Sequence, residues 1–241
     1  MEIYVDMNFL EKALNFIFPP VCGICGKMKE SYLCKECQTK IENEVVFLNK
    51  TDKYVIANNI KNNTRNSNIS DNIKYFSSHT YLFSYTTPIR EKILQYKFKE
   101  QAYLSNMFSE FFVKNEKICG FLQKYDIIIP VPMTKKKVRK RGYNQSELIA
   151  KQLAKNIPNL KEEKYILIKV KENRTQSSLN RQQRQENVKD VYKLQNVEKI
   201  KEKNIIIFDD IYTTGATVNE CAKVLMLGGA KKVAVITIAK D

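Results

Sequence analysis

The chain has 241 residues, 43% of them hydrophobic, enough to bury a core and within the range of one large domain or two small ones. Forty-one Lys and Arg against 26 Asp and Glu leave a formal charge of +15, which favours polyanionic partners such as phosphoesters or nucleic acid; lysine spread over solvated faces accounts for that charge equally well. No stretch reaches the ~18 to 20 consecutive apolar residues of a membrane span, and one histidine without a matching Ser or Cys constellation excludes a nucleophilic triad.

Leu10, Leu14 and Ile17 recur at helical spacing before Pro19-Pro20, so residues 1–20 are expected to form an amphipathic helix. Early acidic residues and the lack of a small-residue cleavage site argue against a signal peptide, and the protein is expected to be soluble and cytoplasmic. Cys22-Gly-Ile-Cys25 and Cys34-Lys-Glu-Cys37 follow, eight residues apart. Four thiolates suit tetrahedral zinc, and with every position filled by protein the site is structural. A thioredoxin-like redox pair fits two such pairs poorly. His79 stands as a spare ligand that the cluster does not need, Cys221 reads as core, and Cys119 has no evident partner.

Residues 1–45 thus read as a helix plus zinc ribbon, and the polar, asparagine-rich residues 46–74 as a connector or insertion. Aromatic content rises over 75–85. Pro88 opens a helix through Ile89, Ile93, Leu94, Tyr96 and Phe98, and 102–122 resembles one further helix with Leu104, Phe108, Phe111 and Phe112 on one side. Residues 126–132 form an apolar run predicting a buried strand, 143–156 a helix, and 165–170 a second strand. A polar, basic loop is expected over 171–189, with a short helix starting near Arg181. Residues 204–211 predict a strand, Val218, Cys221, Ala222 and Leu225 mark a helix face stopped by Gly228-Gly229, and 232–239 predict a last strand. Strands alternating with helices predict an α/β fold with a parallel sheet flanked by helices on both faces.

The densest signal is the run Ile205 to Thr217. A buried strand ends in Asp209 and Asp210, then comes a turn with Thr213, Thr214 and Gly215, then a helix opening with Ala216 and Thr217. Ligands bind at that edge of an α/β sheet. N–H groups at the helix start suit a phosphate, and adjacent carboxylates suit two vicinal sugar hydroxyls. Neither GxGxxG nor GxxxxGK[ST] occurs, which excludes a dinucleotide fingerprint and a P-loop. The blander reading is an acidic turn that merely caps a helix.

This run resembles the ribose-phosphate loop of type I phosphoribosyltransferases. Three further features are similar to the ComF family of competence-associated proteins: the double-CxxC ribbon; Pro130-Val-Pro132 followed by Arg141-Gly-Tyr-Asn144-Gln145; and Arg174 to Leu179 running on to Arg184 and Asn187. The resemblance implies a phosphoribosyltransferase type I-like domain over 75–241, with 75–122 as a base-selecting hood and 123–241 as core. It implies binding of 5-phosphoribosyl-1-pyrophosphate with Mg²⁺, and transfer of the phosphoribosyl group in natural competence. Asp209, Asp210 and Arg174 would be catalytic, and Thr213, Thr214, Gly215, Ala216 and Thr217 would hold the 5′-phosphate. Val131, Pro132, Met133, Thr134 and Arg141 would hold pyrophosphate, and Gln176, Arg181 and Arg184 would lie on a closing loop. Cys22, Cys25, Cys34 and Cys37 would bind structural zinc. Purine enzymes of the hypoxanthine-guanine type carry an aspartate where Thr213 stands, which argues against that acceptor. Competence machinery would bring the protein to the inner membrane face. Two alternatives accompany the enzyme: a protein binding single-stranded DNA through Lys135 to Arg141, and a sensor that binds the donor without transfer.

Overall fold

The computed structural model describes residues 19–29, 31–42, 73–172 and 181–241. The expected N-terminal helix, most of the asparagine-rich connector, and the stretch holding Arg174 and Gln176 lie outside them. Two units divide the chain, residues 1–44 and 45–241.

In the first unit the chain doubles back at the first CxxC. Val21 and Met28 form an antiparallel bridge, and the Cys22 and Gly26 N–H groups donate to Lys27 O and Cys22 O at 2.9 Å each. Helix α1, Lys35–Glu42, carries Cys37 on its first turn. Leu33, Cys34, Cys37 and Ile41 are buried beside Cys22.

The second unit is built on five parallel strands in the order β1-β7-β6-β2-β3. These are β1 (His79–Ser84), β2 (Ile127–Pro130), β3 (Lys161–Glu162), β6 (Asn204–Tyr212) and β7 (Lys232–Lys240). Ile205, Ile206, Ile207 and Phe208 are all buried, as a strand covered on both faces requires. Alternate residues face opposite sides of the sheet. One set (Ile127, Ile129, Ile205, Ile207, Val233, Val235) packs with Val218, Cys221, Ala222 and Leu225 of the helix Ala216–Leu227. The other includes Phe208, whose ring meets Phe112 edge-on at 5.6 Å.

Helices α2 (Ile89–Phe98), α3 (Leu104–Lys114), α4 (Glu116–Leu122), α5 (Lys135–Arg141) and α6 (Gln145–Asn156) occupy the stretch around β2. Helix α7 is Arg181–Val188 and α8 is Ala216–Leu227. Gly229, at φ +95°, reverses the chain after α8, as Gly228-Gly229 led one to expect.

Several expectations need correction. Residues 102–122 are two helices, because the Asn115 side chain accepts the Ile118 N–H at 3.1 Å and starts α4 anew. Residues 165–170 do not enter the main sheet. Only β4, Leu167–Lys169, is extended, and it pairs antiparallel with β5, Tyr192–Leu194, in a separate ribbon. Its apolar residues Ile166 and Leu167 are buried in the α8 layer, so their hydrophobicity marked burial rather than sheet membership. Residues 79–84, read only as aromatic-rich, form edge strand β1 against β7. The basic run Lys135 to Arg141 is helical. His79 lies in β1, where its Nε2 is 2.9 Å from Thr237 Oγ1. Cys221 is fully buried, as expected of a core residue, and the Cys119 thiol donates to Val113 O at 2.9 Å.

Candidate functional site

Strands β2 and β6 are neighbours, with Pro130 opposite Phe208. From this pair the connections diverge: β2 leads through α6 outward to β3, and β6 leads through α8 to β7 on the other side. The carboxyl ends of strands at such a divergence are the position where α/β sheets take ligands. Both loops singled out by sequence, 131–134 and 209–217, leave from this edge.

Asp209 and Asp210 lie near the end of β6 within its regular pairing to β7, Asp209 opposite Thr237. Being consecutive on a strand, they point to opposite faces. Asp209 accepts its neighbour's N–H at 2.9 Å and a 3.4 Å hydrogen bond from Ser146 Oγ, at the start of α6. Burial, and next the charge of Asp210, push the Asp209 carboxyl up to about 7, against the pull of Lys97. Asp210 forms an ion pair with Lys97 at 2.9 Å.

The turn that follows is held from behind. Gly215 has φ +76°, and a Cβ there would lie 2.3 Å from the Tyr212 hydroxyl, so both backbone and space demand glycine. The Tyr212 ring stacks on His79 at 4.0 Å, and its hydroxyl accepts a hydrogen bond from Lys74 Nζ at 3.1 Å. Asn219, on α8, accepts from Tyr75 N and donates to Ile73 O, both at 2.9 Å. The segment 73–76 therefore braces both ends of the loop. Thr213, Thr214 and Thr217 remain partly exposed at the mouth, Ala216 is buried, and Thr214 Oγ1 accepts the Ala216 N–H at 3.4 Å. Helix α8 then runs 12 residues from this turn, placing its N-terminal N–H groups and positive dipole end beside the acid pair.

The second loop is fixed by its first and last residues. Val131 is buried; its N–H donates to Phe208 O at 2.9 Å, and its carbonyl accepts from Asn144 Nδ2 at 3.1 Å. Pro132 and Met133 are partly exposed. Thr134 caps α5, accepting the Lys137 N–H at 3.3 Å, and donates its hydroxyl to Glu172. Arg141 donates to Gln145 Oε1 at 2.9 Å, and its guanidinium lies 5.0 Å from the Phe98 ring centre. Arg181 and Arg184 belong to α7, while Arg174 and Gln176 fall outside the described residues.

Sequence reasoning named Asn144 within a motif without giving it a role, and passed over Ser146, Lys97 and Lys169. The first two carry a visible signal, since Asn144 is a polar helix cap whose Oδ1 accepts the Ser146 N–H at 3.1 Å. Lys97 and Lys169 carry none among 41 basic residues. Lys169, on β4, lies 5.6 Å over the Tyr192 ring; burial, then Lys137, lower its pKa to about 8.

In the other unit, the sulfurs of Cys22, Cys25, Cys34 and Cys37 all lie within 4.8 Å of one another, and those of Cys25 and Cys34 are 4.0 Å apart. Bonds of ~2.3 Å to a tetrahedral ion imply sulfur separations of about 3.8 Å. The donor set and its spacing fit a thiolate-loving metal. Burial raises the Cys22 thiol, but backbone N–H groups led by that of Cys34 prevail and lower it to about 6. Burial, together with the other three thiols, pushes Cys37 up to about 12. One thiolate thus forms easily and resists the next, which a divalent cation would offset.

A family model described as "Phosphoribosyl transferase domain" matches residues 139–241, from the end of α5 through β7. Competence protein F of Haemophilus influenzae is 27% identical over 227 residues, 92% of this chain and 85% of its own length. Competence protein ComFC of Bacillus subtilis is 28% identical over 229 residues, 92% of this chain and 78% of that protein. DNA utilization protein YhgH of Escherichia coli O6:H1 is 29% identical over 154 residues, 63% of this chain and 66% of YhgH.

Proposed function

Because the chain belongs to the ComF family of competence-associated proteins, with a phosphoribosyltransferase-type domain and a four-cysteine unit, we propose that it binds 5-phosphoribosyl-1-pyrophosphate and transfers the phosphoribosyl group during DNA uptake. The observation that carries this reading is the acid pair and glycine turn of 209–217 beside loop 131–134 at one sheet edge. Asp209 and Asp210 accept the ribose 2′- and 3′-hydroxyls. The turn at Thr213, Thr214 and Gly215, with Ala216 and Thr217, takes the 5′-phosphate at the helix start. Loop 131–134 and Arg141 face the pyrophosphate, with Arg174, Gln176, Arg181 and Arg184 closing over it. The C1–O bond breaks with its electron pair leaving on pyrophosphate, while an acceptor's lone pair forms the new bond to C1. Positioning and neutralisation of the leaving charge supply most of the rate. Mg²⁺, bound to the donor's own oxygens, would add to that neutralisation.

Calorimetric titration with the donor and Mg²⁺ tests the site. Binding by the wild type and none by Asp209→Ala with Asp210→Ala is expected; equal affinity in the two would reject the reading. Pyrophosphate release with candidate acceptors then separates an enzyme from a non-catalytic sensor, for which binding occurs without release. In the four-cysteine unit the fitting ion is zinc, in a structural role. Among the described residues no helix is long and apolar enough to cross a membrane. In this reading the protein works in the cytoplasm, at the inner membrane face when partners of the competence machinery recruit it.

A second reading, direct contact with single-stranded DNA, is favoured by one surface. Phe98 is 67% exposed beneath the Arg141 guanidinium. Helix α5 beside it carries six basic residues in seven, none of them buried. Bases stack on such an aromatic while lysines track the phosphates. Retention of single-stranded DNA should fall linearly in log salt and weaken in a Phe98→Ala, Lys136→Ala, Arg139→Ala variant; undiminished retention by that variant removes this surface from consideration.

A further inference from the structure

The acid pair is accompanied by a cation that no motif assigns. Lys97, in the last turn of α2, places Nζ 2.9 Å from Asp210 Oδ1, with the two side chains only 17% and 15% exposed. The ion pairs Lys114–Glu110, Lys164–Glu147 and Lys199–Glu163 each expose a side chain by a third or more. An exposed pair fluctuates and counts for little; this one is enclosed. Its place is set by the preceding residue. Tyr96 is fully buried, its hydroxyl donates to Gln145 O at 2.8 Å, and its carbonyl accepts from the Tyr143 hydroxyl at 2.5 Å. Two hydrogen bonds in opposite directions thus lock the end of α2 to the connection that enters α6. The same connection supplies Ser146 to Asp209.

We propose that Lys97 is a positioning residue of the donor site, holding the Asp210 carboxylate aimed before the donor arrives and keeping Asp209 able to accept a ribose hydroxyl. This role rests on the phosphoribosyl reading of the site. Two adjacent carboxylates resist ionising together, and a protonated acid gives the sugar a poorer acceptor. Asp209 is pushed up first by burial and then by Asp210, while Lys97 pulls it down. Facing Asp209 from the other elements are Ser146 on α6, Lys169 on β4, Tyr192 on β5 and Cys221 on α8. Of these only Lys169 is cationic, and burial and Lys137 already weaken its hold on a proton. Lys97 therefore carries most of the compensation.

The test is donor affinity with Mg²⁺, measured calorimetrically from pH 6 to 9 for wild type, Lys97→Met and Lys97→Arg. Wild-type affinity is expected to rise with pH and level off just above neutrality. Lys97→Met should move that plateau up by about one pH unit, giving roughly fivefold weaker binding at pH 7 and near-equal binding at pH 9, with Lys97→Arg close to wild type. A loss of the same size at every pH means that Lys97 merely packs α2, and overturns the role. Absence of wild-type binding at any pH overturns the donor-site reading itself, and the role with it. Should Lys97→Met not fold, Tyr143→Phe removes one hydrogen bond of the lock and spares Lys97. A smaller shift of the same sign supports the role, and an unchanged profile overturns it.

Discussion

A buried histidine shows how far one residue's surroundings can shift its chemistry. His79 is 8% exposed, sandwiched by Tyr212 at 4.0 Å and Tyr81 at 5.4 Å. Burial, then the charges of Lys240 and Lys74, lower its pKa to about 3. The unfolded chain therefore takes up this proton first as pH falls, so the contribution of His79 to stability is complete above about 6.5 and drains away between there and about 3. Asp209 works in the opposite direction. Its folded carboxyl is raised to about 7, so its contribution is complete at low pH and is lost as pH climbs from near 4 through 7. In an Asp209→Asn variant, the melting temperature should rise with pH between 3 and 6.5, and the only imidazole NMR signal should titrate near the bottom of that window. An imidazole that titrates near 6.5 would contradict the enclosed site in β1. Gly215 follows the same logic in the backbone: its place in a turn was legible, but its positive φ and the Tyr212 hydroxyl standing over it were not.

At the scale of elements, legibility followed burial pattern. Strands β6 and β7 and helix α8 were readable because long apolar runs and an i, i+3, i+4, i+7 face survive any tertiary context. Strand β1 was not, because a six-residue segment with five buried positions mixes His, Thr and aromatics without alternation. Helices α3 and α4 merged in the sequence because Asn115 does its capping inside a continuous apolar pattern. Of the site, the loop 209–217 was legible from strand, acids, turn and helix in succession; the bracing by Lys74, Asn219 and Tyr143 was not, since it joins residues 47 to 146 positions apart. The cysteine unit was legible from spacing alone, and its four sulfurs do converge. It should carry one zinc per chain, which Cys34→Ser releases to a colorimetric chelator; a metal-free wild type that keeps its near-UV signal would refute the structural role.

For the whole molecule, the charge of +15 gave the broadest hint and the least specific one. One part of it is clustered: the seven-residue α5 presents its cations together beside Phe98, which total charge does not reveal. The family match covers residues 139–241, yet Lys97, Tyr96 and β1, all before it, complete the sheet and the surroundings of the acid pair. Those earlier residues are part of the same unit as the matched ones.

Because Asp209 and Asp210 emerge from opposite pleats of one strand, each answers to a different layer: Asp209 to the side of Cys221 and Tyr192, Asp210 to the side of α2. A sugar held by both would rivet the two layers across the strand's tip. Occupancy should then slow amide exchange in α2 and α8 together, although these helices cover opposite sides of the sheet.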